Sequence, residues 1–149
     1  MEANVADDVK SAETQSRPVS AAGNVPALLV IDDDPVQRMT MGKVGSKAGY
    51  AVTTASSVDE AVVALGQGKF DFITLDLLLG GQNGIVVLGE IAKTNPEALL
   101  VIVSGASAAV RESTLSLTVG FRLNAVELPK PVDLSALRVL LKSHPQAVS

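Results

Sequence analysis

The sequence predicts one α/β domain built on a parallel sheet that is buried on both faces. Three observations predict it. Short continuous apolar runs recur along the chain without the polar alternation of a half-solvated strand. Segments carrying helix-capping signals separate those runs. An apolar fraction of 47% in 149 residues is enough for a single core of this size.

Residues 1–25 are polar, small and punctuated by Pro and Gly, and are expected to form a disordered tail ahead of a domain over 26–143. Leu28-Leu29-Val30-Ile31 is the first strand. Asp34-Pro35 then reads as an N-cap followed by Pro in the first helical position, opening a weakly patterned helix that ends near Gly49. Residues 51–55 suit a second strand. Ser57-Val58-Asp59-Glu60 matches a capping box, and the helix behind it puts Val58, Ala61, Val62 and Leu65 on one face. Phe70 to Leu75 is the third strand, ending at Asp76. A loop over 80–84 leads into a helix from Ile85 to Lys93. Leu99 to Val103 is the fourth strand, Ala108 to Val119 a helix, and Ala125 to Leu128 the fifth strand. Asp133 caps a last helix with Leu134, Leu137, Leu140 and Leu141 inward, and residues 144–149 form a C-terminal tail. The alternation specifies a flavodoxin-like (βα)5 doubly wound three-layer sandwich, with its five-stranded parallel sheet in the order 2-1-3-4-5.

Composition removes several function classes. There is no Cys, hence no disulfide, thiolate metal site or thiol nucleophile. The net charge of −4 and the absence of any Lys/Arg cluster argue against a direct nucleic-acid ligand. The apolar runs are far shorter than a membrane span, and the N-terminus has early acids and no apolar centre, unlike a secretory signal. A cytoplasmic location is expected. His144, the only His, falls in the polar tail, which excludes a His-based triad in the folded region.

In a sheet of this order, ligands bind beyond the carboxyl ends of the strands, at the switch between strands 1 and 3. The residues just past those strands are Asp32-Asp33-Asp34 and Asp76. Carboxylates gathered so closely repel one another, and a divalent cation relieves them; oxygen-only ligands point to Mg²⁺, Mn²⁺ or Ca²⁺. Strand 4 ends at Ser104-Gly105, and Lys130 follows strand 5 between two prolines. Acids, a hydroxyl and an ammonium around a cation make a phosphoryl-transfer site, with Asp76 as the nucleophile. Asp32-Asp33-Asp34 alone would read equally well as a helix cap, and it is the company of Asp76 and Lys130 at neighbouring strand ends that favours chemistry.

The set VIDDDP, TLDLLLGGQNG, VIVSGA and LPKP, in this order, resembles the receiver domain of bacterial two-component response regulators over about residues 27–142. The resemblance implies a phosphoacceptor switch rather than an enzyme, with no activity beyond its own phosphotransfer and autodephosphorylation. It implies Asp76 as the acceptor and Mg²⁺, with Mn²⁺ as a substitute, held by Asp33, Asp76 and the backbone carbonyl of Leu78, with Asp32 acting mainly through a water. Ser104 matches the family's switch hydroxyl, Lys130 its Lys, and Gly84 the Gly closing the loop after the acceptor. A sensor histidine kinase or phosphotransfer protein is the implied phosphodonor. A homodimer through the C-terminal region is expected from the family's habit and from Val139, which the inner face of the last helix does not use. Two positions depart from the pattern: Gly80 stands where Pro is usual, and Glu127 where an aromatic switch residue is frequent. Only 143–149 follow the last helix, so a stand-alone receiver, or a piece of a longer protein, is expected to bind a partner or relay the phosphoryl group.

Two alternatives compete. Asp32-Asp33-Asp34-Pro35-Val36 fits the first motif of haloacid-dehalogenase-type phosphatases, with Asp32 and Asp34 as its working pair, although only Asp133 is left for the late acidic pair of that family. A protein-interaction module that is never phosphorylated is the other, and the complete set of acids and Lys speaks against it.

Overall fold

The computed structural model describes residues 25–79, 82–105 and 107–143. The expected tails, His144, Gly80 and Gly81 lie outside them, except for Val25. The elements are β1 (Ala27–Ile31), α1 (Pro35–Lys47), β2 (Ala51–Ala55), α2 (Val58–Gln67), β3 (Phe72–Asp76), β4 (Leu78–Leu79), β5 (Gln82–Asn83), α3 (Ile85–Thr94), β6 (Leu99–Ser104), α4 (Ala108–Gly120), β7 (Asn124–Pro129) and α5 (Leu134–Lys142). The main sheet is parallel, in the order β2-β1-β3-β6-β7, which is 2-1-3-4-5 when only its own strands are counted.

The strands carry their apolar residues on both faces, and successive residues feed opposite layers. Leu29, Ile31, Ile73, Leu75, Leu100 and Ile102 meet Ala61 and Leu65 of α2 and Val87, Leu88 and Ile91 of α3. Leu28, Val30, Phe72, Val101 and Val103 meet Met41 and Val44 of α1 and Leu137 and Leu141 of α5. Each of the larger of these side chains, taken from water, contributes about 1.5–3 kcal/mol. Tyr50 closes the second layer: its ring meets Phe72 edge-on at 6.0 Å, and its buried hydroxyl donates to the Leu141 carbonyl at 2.6 Å.

Helix starts follow the expected chemistry. Asp34, Ser57, Ser107 and Asp133 each accept from backbone N–H groups of the turn they begin. The capping box is closed on one side only: Ser57 Oγ accepts from the Glu60 amide at 3.1 Å, while Glu60 Oε1 reaches past the cap to accept from the Ser56 amide and hydroxyl at 2.7 and 2.8 Å. Gly45, which costs α1 propensity, is there for contact: a Cβ on it would lie 2.3 Å from Leu28 Cδ2.

The structure corrects several details. The third strand starts at Phe72 rather than Phe70, since the Phe70 amide donates to the buried Asn95 side chain at 2.7 Å. Within the loop expected over 80–84, Gln82–Asn83 form a short strand that pairs antiparallel with Leu78–Leu79, Leu78↔Asn83 and Leu79↔Gln82. On α5 only Leu137 and Leu141 are fully inside, while Leu134 and Leu140 are half-buried. No helix among the described residues is long and apolar enough to cross a membrane.

Candidate functional site

The site lies where β1, β3, β6 and β7 end. Asp32 follows β1 directly, and its amide donates to the Ala55 carbonyl at 3.0 Å, one step past the β1–β2 register. Asp76 is the last residue of β3 and is 2% exposed. It pairs with Val103, so Ser104, also buried, lies one residue further along β6. Ser104 pairs with Pro129, and its carbonyl accepts from the Lys130 amide at 3.2 Å, which fixes where the lysine stem begins. The Lys130–Pro131 peptide is cis.

Lys130 Nζ reaches Asp76 Oδ2 at 2.9 Å. The other carboxylate oxygen, Oδ1, accepts from the Leu78 amide at 3.0 Å. Oxygens of Asp32, Asp33 and Asp76 lie within 4.8 Å of one another. Asp32 and Asp76 are buried and Asp33 is exposed, so the cluster has a floor and an open side.

Charge crowding shows in the ionisable groups. Burial pushes the Asp32 carboxyl above the usual carboxylate range, as do the charges of Asp76 and Asp33; the Asp34 amide, donating at 2.9 Å, and Lys130 pull the other way. Burial alone would lower Lys130, yet its hydrogen bond and ion pair with Asp76, aided by Asp32 and Asp33, hold it above the ordinary lysine value.

These residues fit a divalent cation. Asp32 Oδ2 is buried with no hydrogen-bond partner, beside two further carboxylates. A buried carboxylate oxygen without a donor is costly, and a hard cation satisfies it. Asp33 and Asp76 complete the set of side chains for such an ion.

The remaining expected residues fall as follows. Gly84 is held by its amide on the Leu77 carbonyl at 2.7 Å, beside Asp76. A Cβ on Gly105 would sit 3.8 Å from Lys130 Cβ, so this glycine borders the lysine. Asp34 is not in the cluster: its carboxylate is spent on the Val36 and Gln37 amides. That removes the second acid on which the phosphatase alternative depends.

Two features escaped the sequence. Arg38 of α1 donates from Nη1 to the Asp32 backbone carbonyl at 2.8 Å; six residues after Asp32, one turn into a capped helix, it had no motif to mark it. The partner of Glu127 is the other: Glu127 is half-buried, with Arg111 Nε 3.0 Å from its Oε2, joining α4 to the last strand.

A family model described as response regulator receiver domain matches residues 28–142. The chemotaxis protein CheY of Thermotoga maritima is 35% identical over 78 residues, covering 52% of this chain and 65% of that protein. A crystal structure of a response regulator protein from Burkholderia pseudomallei, with a phosphorylated aspartic acid, calcium ion and citrate, superposes with a TM-score of 0.68 at 32% identity. It covers 78% of this chain and 66% of that one. A CheY-like receiver domain protein from Methanospirillum hungatei gives a TM-score of 0.70 at 20% identity over 80% of this chain and 92% of that one, a likeness of fold. The chain thus spans just under two thirds of the chemotaxis protein and of the Burkholderia chain.

Proposed function

The chain belongs to the response regulator receiver domain family of two-component signalling, and on that premise we propose that it accepts a phosphoryl group on Asp76 from a sensor histidine kinase or phosphotransfer protein. The observation that carries this is the convergence on one buried carboxylate: Lys130 Nζ at 2.9 Å from Asp76 Oδ2, with Asp32 and Asp33 oxygens within 4.8 Å. An Asp76 carboxylate oxygen attacks the phosphorus of the donor; the new O–P bond forms as the P–N bond of phosphohistidine breaks, and the imidazole nitrogen keeps the electron pair. Lys130 is already placed to neutralise an oxygen of the transferred group. The buried Ser104 hydroxyl at the end of β6 is the switch donor to a second oxygen. When bound, Mg²⁺ or Mn²⁺ held by Asp32, Asp33, Asp76 and the Leu78 carbonyl would supply positive charge against the phosphoryl oxygens.

Acetyl phosphate with Mg²⁺ should add one phosphoryl group to the chain, read by intact mass, and Asp76→Asn should take none. Full labelling of Asp76→Asn would overturn the assignment. Val139 on α5 is 69% exposed, and we place self-association there; Val139→Asp should shift sedimentation toward a monomer.

A further inference from the structure

Asp32 carries the least exposed carboxylate of the cluster, and its backbone is tied at each of its polar groups. Its amide donates to the Ala55 carbonyl at 3.0 Å, and its carbonyl accepts from Arg38 Nη1 at 2.8 Å. Its side-chain Oδ1 accepts from the Asp34 amide at 2.9 Å. The Arg38 contact is the one made by a side chain from another element. Arg38 is half-buried on α1, and its charge also reaches Glu60 on α2.

The carbonyl that Arg38 grips belongs to the peptide unit joining Asp32 to Asp33. A planar peptide held at its oxygen has its N–H side held as well. Asp33, the exposed acid, leaves from that unit. We propose that Arg38 is a positioning residue for cation binding: its guanidinium fixes the Asp32–Asp33 peptide so that the two carboxylates are aimed together before an ion arrives.

Arg38 also brings a positive charge near a site for a cation, and this opposes binding. Geometry and charge therefore predict opposite signs on removing it, which makes the role measurable. If positioning dominates, as proposed, Arg38→Met weakens Mg²⁺ binding despite removing repulsion. Arg38→Lys, which keeps the charge but loses the planar fork, weakens it as well.

The inference rests on the reading of the acid cluster as a cation site, so the test starts with the unmodified chain. Isothermal titration with Mg²⁺ alone should show one site. Arg38→Met should raise the dissociation constant about tenfold, the scale seen when outer partners of metal ligands are removed. Arg38→Lys should raise it by less. Circular dichroism of both variants in EDTA should match the parent, so that weaker binding reports aim rather than loss of the fold. Unchanged or tighter Mg²⁺ binding by Arg38→Met overturns the role of Arg38 and leaves the cation site standing. Absence of any Mg²⁺ binding by the parent overturns both. If Arg38→Met does not fold, the Lys variant decides: parental affinity there overturns the proposal.

Discussion

Gly84 stands against Asp76 so closely that a Cβ on it would lie 2.7 Å from the Asp76 carbonyl oxygen and 3.1 Å from Leu77 Cα. Both obstacles are backbone, which has nowhere to go without moving the acceptor. Gly84→Ala should therefore cost about 1–3 kcal/mol of stability, the usual scale of overpacking. It should also slow labelling of Asp76 by acetyl phosphate. Urea unfolding and the labelling rate check the two effects; parental values for both would mean that the contact yields freely.

Asp32 is costly to the metal-free protein, being a buried carboxylate that faces two others. Asp32→Asn keeps an oxygen for the Asp34 amide and removes the charge. It should melt higher than the parent in EDTA. The parent should gain about 2.7 kcal/mol when Mg²⁺ is present at a hundred times its dissociation constant, and the variant should gain far less. Scanning calorimetry of both proteins, with and without Mg²⁺, checks the crossing of these responses.

Arg111 and Glu127 join α4 to the edge strand across a pair with side chains 41% and 28% exposed. The buried residues of α4 are Thr114 and Thr118, and their hydroxyls return to their own helix at Val110 and Leu115. With so little apolar anchorage, the ion pair should matter more to the helix than to the fold. A double-mutant cycle with Arg111→Ala and Glu127→Ala should give a coupling below about 1 kcal/mol. Amide hydrogen exchange in 108–120 should nevertheless accelerate in either single variant.

The Glu60 carboxyl lies below the usual range, first because of the Ser56 amide and then the Ser56 hydroxyl, with Arg38 adding to them. A lowered folded value means that the ionised form favours the folded state. That contribution is present above the ordinary carboxylate range and is lost as pH falls through the lowered value. Glu60→Gln should be less stable than the parent at neutral pH, and the gap should close in acid. Thermal unfolding of the pair along a pH series measures it.

The strand ends were legible because buried parallel strands are continuous apolar runs, and each one stops at the residue that matters: Ile31 before Asp32, Leu75 before Asp76, Val103 before Ser104. The caps at Asp34, Ser57 and Asp133 were legible for the same local reason. What escaped depends on partners distant in sequence. Phe70 leaves the third strand because Asn95 takes its amide, and nothing near Phe70 announces that. Leu78 and Leu79 pair with residues beyond two glycines, a short ladder with no periodicity to read. Glu127 was visible as a departure from an aromatic, but its partner Arg111 lies sixteen residues earlier on a helix with no distinguishing pattern.

Tyr50 begins near the edge strand and ends on a carbonyl of α5, spanning 91 residues of sequence. Leu137 and Leu141 of that helix share with α1 the cover over Leu28, Val30, Phe72, Val101 and Val103. During synthesis, the layer beneath α2 and α3 can close while the chain is still growing, but this second layer stays open until α5 has cleared the ribosome. The strand face shared by α1 and α5 therefore waits for α5, and Tyr50 is the latch that this helix meets when it arrives.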